Sequence, residues 1–208
     1  MADTLLVFAP LRIEAAVLPR RDGWTVLRSG MGPRRARIAA ARGLAVDAGA
    51  LAVVGLCAAV SPELRAGDVV CATELRHADG EPIRVPRSTQ VAEALRQRGL
   101  AVHVGPILSV DHVTKPAERR ALEAVGVLAV DMESAWLAEA AAGRPLAVVR
   151  IVVETADRDL LDVRTPAAGI HALRNLRRAA CALDFARAGT TDAYLAGDEE
   201  RPKHQVNA

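Results

Sequence analysis

Aromatic residues make up only 2% of the 208 residues: two Phe, two Trp and one Tyr. A core of this chain cannot rest on stacked rings. Its 51% hydrophobic content falls mainly to Ala, Val and Leu, which suits close packing of helices on a sheet. Cysteine is scarce too. Cys57, Cys71 and Cys181 lie in apolar contexts and show no metal-ligand spacing, so they read as buried structural thiols in a reduced, cytoplasmic compartment. Charge of one sign is missing: the formal net charge is +2, and the many Arg are interspersed with acids. That balance argues against nucleic acid or an anionic membrane as the partner. No apolar run approaches the ~20 residues of a membrane span. The N-terminal Met1-Ala2-Asp3-Thr4 has no basic region, so Leu5 to Phe8 reads as a strand rather than a signal. The length fits one domain, and no internal repeat is visible.

What is present alternates. Leu5 to Ala9 reads as a buried strand, stopped by Pro10; Leu11 to Leu18 reads as a short helix. Glu14 then sits near a strand-to-helix junction, where it either faces a ligand or is an exposed helix residue. Trp24 to Leu27 is a second strand, followed by Ser29-Gly30-Met31-Gly32-Pro33 and a helix over 34–48. A Gly-x-Gly turn before a helix lets backbone approach a ligand and aims N–H groups at it, although many such turns are only turns. Leu51 to Val60 is an apolar strand ending in small residues, and Val69 to Leu75 another. Residues 77–87 form a polar loop, Ser88 to Arg98 an amphipathic helix, and Ala101 to Val110 one bent strand or two. Asp111 and His112 lie in a loop with no Ser or Cys placed to complete a triad. Lys115 to Leu122 begins a further helix.

The richest stretch follows. Leu128-Ala129-Val130 runs into Asp131-Met132-Glu133 and then a helix over 134–142. After a turn at Gly143-Arg144-Pro145, the β-branched run Val148 to Val153 stops at Glu154. Two buried elements thus each deliver a carboxylate at one end, and in parallel α/β sheets ligands bind outside the carboxyl ends of the strands. Residues 157–162 are a polar loop, 166–187 a long helix, and 188–208 a tail with little to bury. The fold class is α/β, with a mixed, mostly parallel sheet flanked by helices on both faces.

Four pieces in this order resemble the nucleoside phosphorylase and nucleosidase superfamily: Glu14 after the first strand, Ser29-Gly30-Met31-Gly32, Gly55 through Gly67-Asp68-Val69-Val70, and Val130-Asp131-Met132-Glu133 followed by Val149-Arg150 and an acid. The likeness runs from about Leu5 to about Leu183 and implies one nucleoside phosphorylase-like domain over 1–187. Pro62-Glu63-Leu64-Arg65-Ala66-Gly67-Asp68, Asp131 to Ser134 and Ala156-Asp157-Arg158 look most like the hopanoid-associated phosphorylases, taken to release adenine from adenosylhopane.

That resemblance implies roles. Glu133 grips the ribose hydroxyls, Met132 packs on the sugar, and Asp131, Cys57, Ala58 and Val113 belong to the substrate pocket. Glu154 stands where the family has the Asp that protonates the leaving base; burial beside Val152 and Val153 would have to raise its pKa, and Asp157 is a substitute. Glu14 occupies the water-activating position of hydrolytic relatives. Arg12, with Gly30, Met31 and Gly32, offers a phosphate site as in phosphorolytic relatives, and the subfamily likeness favours phosphorolysis. Ala58-Ala59 stands where relatives carry Gly-Gly, and Val113 where they place an aromatic, so base binding is weakened and an apolar 5′ group would restore it. No metal or organic cofactor is implied, only inorganic phosphate as co-substrate. A homo-oligomer is implied. The alternatives are a methylthioadenosine/S-adenosylhomocysteine nucleosidase and a nucleoside-binding protein that has lost catalysis.

Overall fold

The computed structural model describes residues 4–78, 80–156 and 165–188. Its strands are β1 (Leu5–Ala9), β2 (Trp24–Arg28), β3 (Ala50–Ala59), β4 (Val69–Arg76), β5 (Ile83–Arg84), β6 (Val102–Ser109), β7 (Ala129–Asp131) and β8 (Leu146–Glu154). Its helices are α1 (Arg12–Val17), α2 (Pro33–Leu44), α3 (Ser88–Gln97), α4 (Pro116–Glu123), α5 (Ser134–Ala138) and α6 (Thr165–Ala188). The tail expected beyond α6 lies outside the described residues.

The strands form one mixed eight-stranded sheet. Alternation along β1 sends Leu6 and Phe8 to a core under α2 and α5, and Leu5, Val7 and Ala9 to a second core under α3 and α6. Helices therefore cover both faces, as the expected class requires. The sheet also does something its sequence does not announce. β8 pairs parallel to β3 and antiparallel to β4, while β7 joins β3 to β6, which pairs with β4. The pairing β3–β8–β4–β6–β7–β3 closes on itself, so the middle of the sheet is a small barrel.

Residues 102–109 are one strand, not two. Pro106 cannot donate to the ladder, and the β4 register against β6 shifts between Ala72 and Leu75, beside it. The helix expected over 134–142 is shorter. Its α-helical part ends at Ala138, tightens to a 3-10 turn at Glu139–Ala141, and stops at Ala142, whose φ of 47° is left-handed. Arg144 satisfies the loose carbonyls there, donating to Ala140, Ala141, Gly43 and Val46.

Candidate active site

Asp131, at the end of β7, is buried, with hydrogen bonds on one carboxylate oxygen and an ion pair on the other. Oδ1 accepts from Ser109 Oγ at 2.6 Å and from the N–H groups of Glu133 and Ser134, both at 3.1 Å. Oδ2 lies 2.9 Å from Nε of Arg150, which also donates to Ser134 Oγ at 2.9 Å. Asp131 lines the cleft, as expected of a pocket residue, and it also caps the turn that aims Glu133. Glu133 in turn accepts the N–H of Gly32 at 3.0 Å on Oε1 and has Oε2 3.5 Å from Nη2 of Arg150. Gly32 is the N-cap of α2 with φ 91°, so the Gly-x-Gly turn does lend an N–H donor, to a carboxylate of the protein itself.

Arg150 has no exposed surface and was not read as a site residue from sequence. Its parallel register places it opposite Gly55. A Cβ at Gly55 would lie 2.3 Å from Arg150 Nη1 and 3.0 Å from Glu14 Oε1, so glycine there makes room for both groups. Glu14 bonds the N–H of Leu11 at 2.5 Å, the reach-back half of a capping box, and the N–H of Leu56 at 2.8 Å. Its side chain is buried at 2% exposure, which decides between the two readings of this residue in favour of an inward one.

Arg12 is different. It is exposed and does not line the cleft. Two positions apart on a helix are turned about 200° from each other, so α1 cannot face both Arg12 and Glu14 inward. The glycine turn itself lies against the chain just ahead of α1, with the Gly30 N–H donating to the Pro10 carbonyl at 2.9 Å.

Glu154 ends β8. The β3–β8 register slips between Cys57 and Ala58, leaving Val153 as an extra residue. A bulge breaks the alternation of faces, and Val153 and Glu154 both line the cleft in consequence. Glu154 is not set in apolar surroundings alone. The guanidinium of fully buried Arg119, on α4, lies 3.0 Å from its Oε2 and also donates to the carbonyls of Thr114 at 2.7 Å and Thr155 at 3.3 Å. An apposed cation favours the charged carboxylate, the reverse of the expected effect of Val152 and Val153. Asp157 lies outside the described residues.

These groups meet at a cleft of about 410 Å³. Glu14, Glu133 and Glu154 line it together with Met31, Cys57, Ala58, Met132 and Val113. Most of the remaining wall is apolar, from Pro10, Leu11, Leu56, Val110 and Val130. Met31 and Val113 are largely exposed at its edge. His112 also lines it, held between Asp111 at 2.7 Å and Glu118 at 2.9 Å, which raise its pKa. Burial raises the pKa of Glu14 against the pull of Arg150. Burial, helped by Asp131, raises Glu133 to about 7, while Arg150 and the Gly32 N–H pull it down. Burial lowers the pKa of Arg150, but Asp131, Glu133 and Glu14 more than offset it and raise it. Burial likewise pushes the Cys57 thiol up, consistent with an inert wall residue. Among the described residues no cluster of His, Cys, Asp and Glu is placed to hold a metal ion.

The family profile of the phosphorylase superfamily matches residues 21–183. The chain belongs to the phosphorylase superfamily. Solved structures resemble this superfamily member over nearly their whole length. The 5′-methylthioadenosine/S-adenosylhomocysteine nucleosidase of Neisseria meningitidis, in complex with methylthio-immucillin-A, is 21% identical; the match covers 89% of this chain and 99% of that one, with a TM-score of 0.72. The corresponding S. pneumoniae nucleosidase is 22% identical over 86% and 99% of the two chains, TM-score 0.70. Futalosine hydrolase of Helicobacter pylori is 16% identical over 88% and 96%, TM-score 0.71. At such identities the likeness is one of fold. No curated protein matches the sequence.

Proposed function

We propose that this superfamily member cleaves the N-glycosidic bond of a 5′-modified adenine nucleoside by hydrolysis, with adenosylhopane as the substrate. One observation carries the reading: Glu14, Glu133 and Glu154, from three separate elements, converge on one cleft with apolar walls. Glu133 accepts hydrogen bonds from the ribose hydroxyls and places negative charge beside a sugar that becomes cation-like as the bond breaks. Glu14 takes a proton from water as the water oxygen bonds to C1′. The C1′–N9 electron pair leaves with adenine, which gains its proton from solvent at N7. Glu154 accepts hydrogen bonds from N6–H and from N7–H once it forms. The products are free adenine and the 5′-modified ribose, and Glu14 returns its proton to solvent.

Arg150 stands behind these acids and keeps Glu14 and Glu133 ionisable in a buried site. Hydrolysis is favoured over phosphorolysis because Glu14 lines the cleft, whereas Arg12 is exposed and is not among the residues lining it. The apolar wall, open at Met31 and Val113, supports a large apolar 5′ group. Likeness to methylthioadenosine/S-adenosylhomocysteine nucleosidases supports a second reading, a short thioether in that place. A homo-oligomer belongs to the proposal as well; exposed Ile38 and Leu44 on α2 support it, and sedimentation equilibrium tests it.

The test is chromatographic. Purified protein is incubated with adenosylhopane, methylthioadenosine and adenosine, with and without phosphate, in ¹⁸O-water. Adenine release that is fastest with adenosylhopane, ignores phosphate and labels the sugar supports the proposal. Strict dependence on phosphate would replace hydrolysis by phosphorolysis, and no release from any of these nucleosides would refute the activity.

A further inference from the structure

A second cavity, of about 530 Å³, lies away from the cleft. Leu146 lines it at the start of β8, and Glu154 lines the cleft at the other end of that nine-residue strand. An extended strand of that length separates the two by roughly 26 Å. Part of the wall comes from β5 and the turn into α3, with Arg84 and Arg87; another part comes from α5 and the turn after it, with Ala138, Ala141 and Arg144. Among the described residues no Asp or Glu lines this cavity. Arg144 is half-buried and gives its N–H groups to the carbonyls of Gly43, Val46, Ala48, Ala140 and Ala141, all neutral acceptors. Its charge is therefore left uncancelled. Arg84 is exposed and Arg87 half-buried, and among the described residues neither makes a hydrogen bond or an ion pair. Nearby acids do not answer them: Glu74 pairs with Arg76, while Glu81 and Glu139 are exposed and do not line the cavity.

Three guanidiniums thus share one concave wall without a carboxylate. Like charges gathered there repel one another, and the same field draws in an anion. A guanidinium fork matches the oxygens of a phosphate two at a time. Ile83, Pro86 and Leu146 add apolar surface, and the small side chains of Ala138 and Ala141 leave room for more than a phosphate alone. The geometry points to a second ligand site here, for a small organic phosphate with an apolar body. Arg84 and Arg87 hold the phosphate, Arg144 adds charge with its own donors already engaged, and the apolar wall takes the body. The site stands apart from the reaction proposed for the cleft, and neither depends on the other.

The test uses 4-bromophenyl phosphate, titrated calorimetrically into the full chain beside 4-bromophenol and inorganic phosphate. Its position is read from the anomalous signal of bromine in a co-crystal. The ester is expected to bind one site per chain, at least about tenfold tighter than the phenol or inorganic phosphate. Its phosphate should lie on Arg84 and Arg87, with bromine against Ile83, Pro86 or Leu146. Arg84→Gln and Arg87→Gln remove side chains without protein partners, so the thermal midpoint should hold. Each should weaken ester binding about tenfold or more, and the double variant about a hundredfold. The bromine position is read in the wild type and does not depend on the variants folding. A bromine peak only in the cleft or at a lattice contact overturns the inference. So does ester binding that the double variant leaves unchanged, phenol or inorganic phosphate binding as tightly as the ester, or no binding at all.

Discussion

Arg150 has no exposed surface, yet Asp131, Glu133 and Glu14 all act on it. Replacing it by Met leaves that acidic cluster without its counter-ion. Breaking a buried pair costs about 3–5 kcal/mol, so Arg150→Met should unfold at a clearly lower urea concentration, as followed by circular dichroism. Gly55→Ala probes the same spot more gently. The added methyl meets Arg150 Nη1 at 2.3 Å and Glu14 Oε1 at 3.0 Å, both ends of flexible side chains. The fold should survive while those ends move apart, so adenine release should fall tenfold or more (on the order of 1–2 kcal/mol in the barrier) with little change in thermal midpoint. Glu133 and Glu154 were legible in the sequence because each follows the end of an apolar run, whereas Glu14, inside a short helix, allowed two readings. Arg150 and Arg119 were not legible. One sits inside a β-branched strand and the other on a short charged helix, and neither neighbourhood reveals which distant carboxylates share its burial. Arg12 and Glu14 look equivalent in the sequence, but two positions apart on α1 they take different environments, Arg12 exposed and Glu14 buried.

The Gly30-Met31-Gly32 turn and α2 act as one element. Gly32 adopts φ 91° and gives its N–H to Glu133 at 3.0 Å. Open space surrounds the position of a Cβ there, so any penalty in Gly32→Ala comes from backbone conformation and not from a clash. With φ 91° and ψ 163° Gly32 occupies a backbone region that is essentially glycine's alone, where a residue with a side chain loses on the order of 1–3 kcal/mol, and a protein of this size should melt roughly 2–4 °C lower per kcal/mol. Calorimetry checks the melting point. Turnover should fall with it, because the donor that orients Glu133 moves. Strand β8 shows what periodicity cannot convey. Its apolar run and final acid were legible, but the slipped register at Cys57 and Ala58, which turns Glu154 into the cleft, depends on pairing with β3 and leaves no local mark.

Closure of β3, β8, β4, β6 and β7 into a ring brings the ends of distant segments to one cleft, where Glu14, Asp131 and Glu133 are buried. Alternating strands and helices announced the α/β class; the closure did not, since strand order is a long-range property. Burial gives the whole molecule a pH signature. The pKa of Glu133 rises from 4.5 to about 7 on folding, so the folded state binds more protons between those values. Its contribution to stability is present below the lower value and is lost as pH rises through the upper one. The raised pKa of Glu14 acts in the same direction. In the proposed reaction the Glu133 carboxylate grips the ribose, so activity should climb from roughly pH 6 to pH 8 while the thermal midpoint falls, opposite trends from one group. Parallel melting and rate profiles check this, and a midpoint that rises over that window would contradict it. The convergence of acids on one sugar is tested most directly by a crystal structure with a non-cleavable 5′-modified adenosine analogue. The ribose diol should lie within hydrogen-bonding distance of Glu133, the base edge at Glu154 and C1′ facing Glu14. A nucleoside bound with its diol turned away from Glu133, or outside this cleft altogether, would contradict the proposed site.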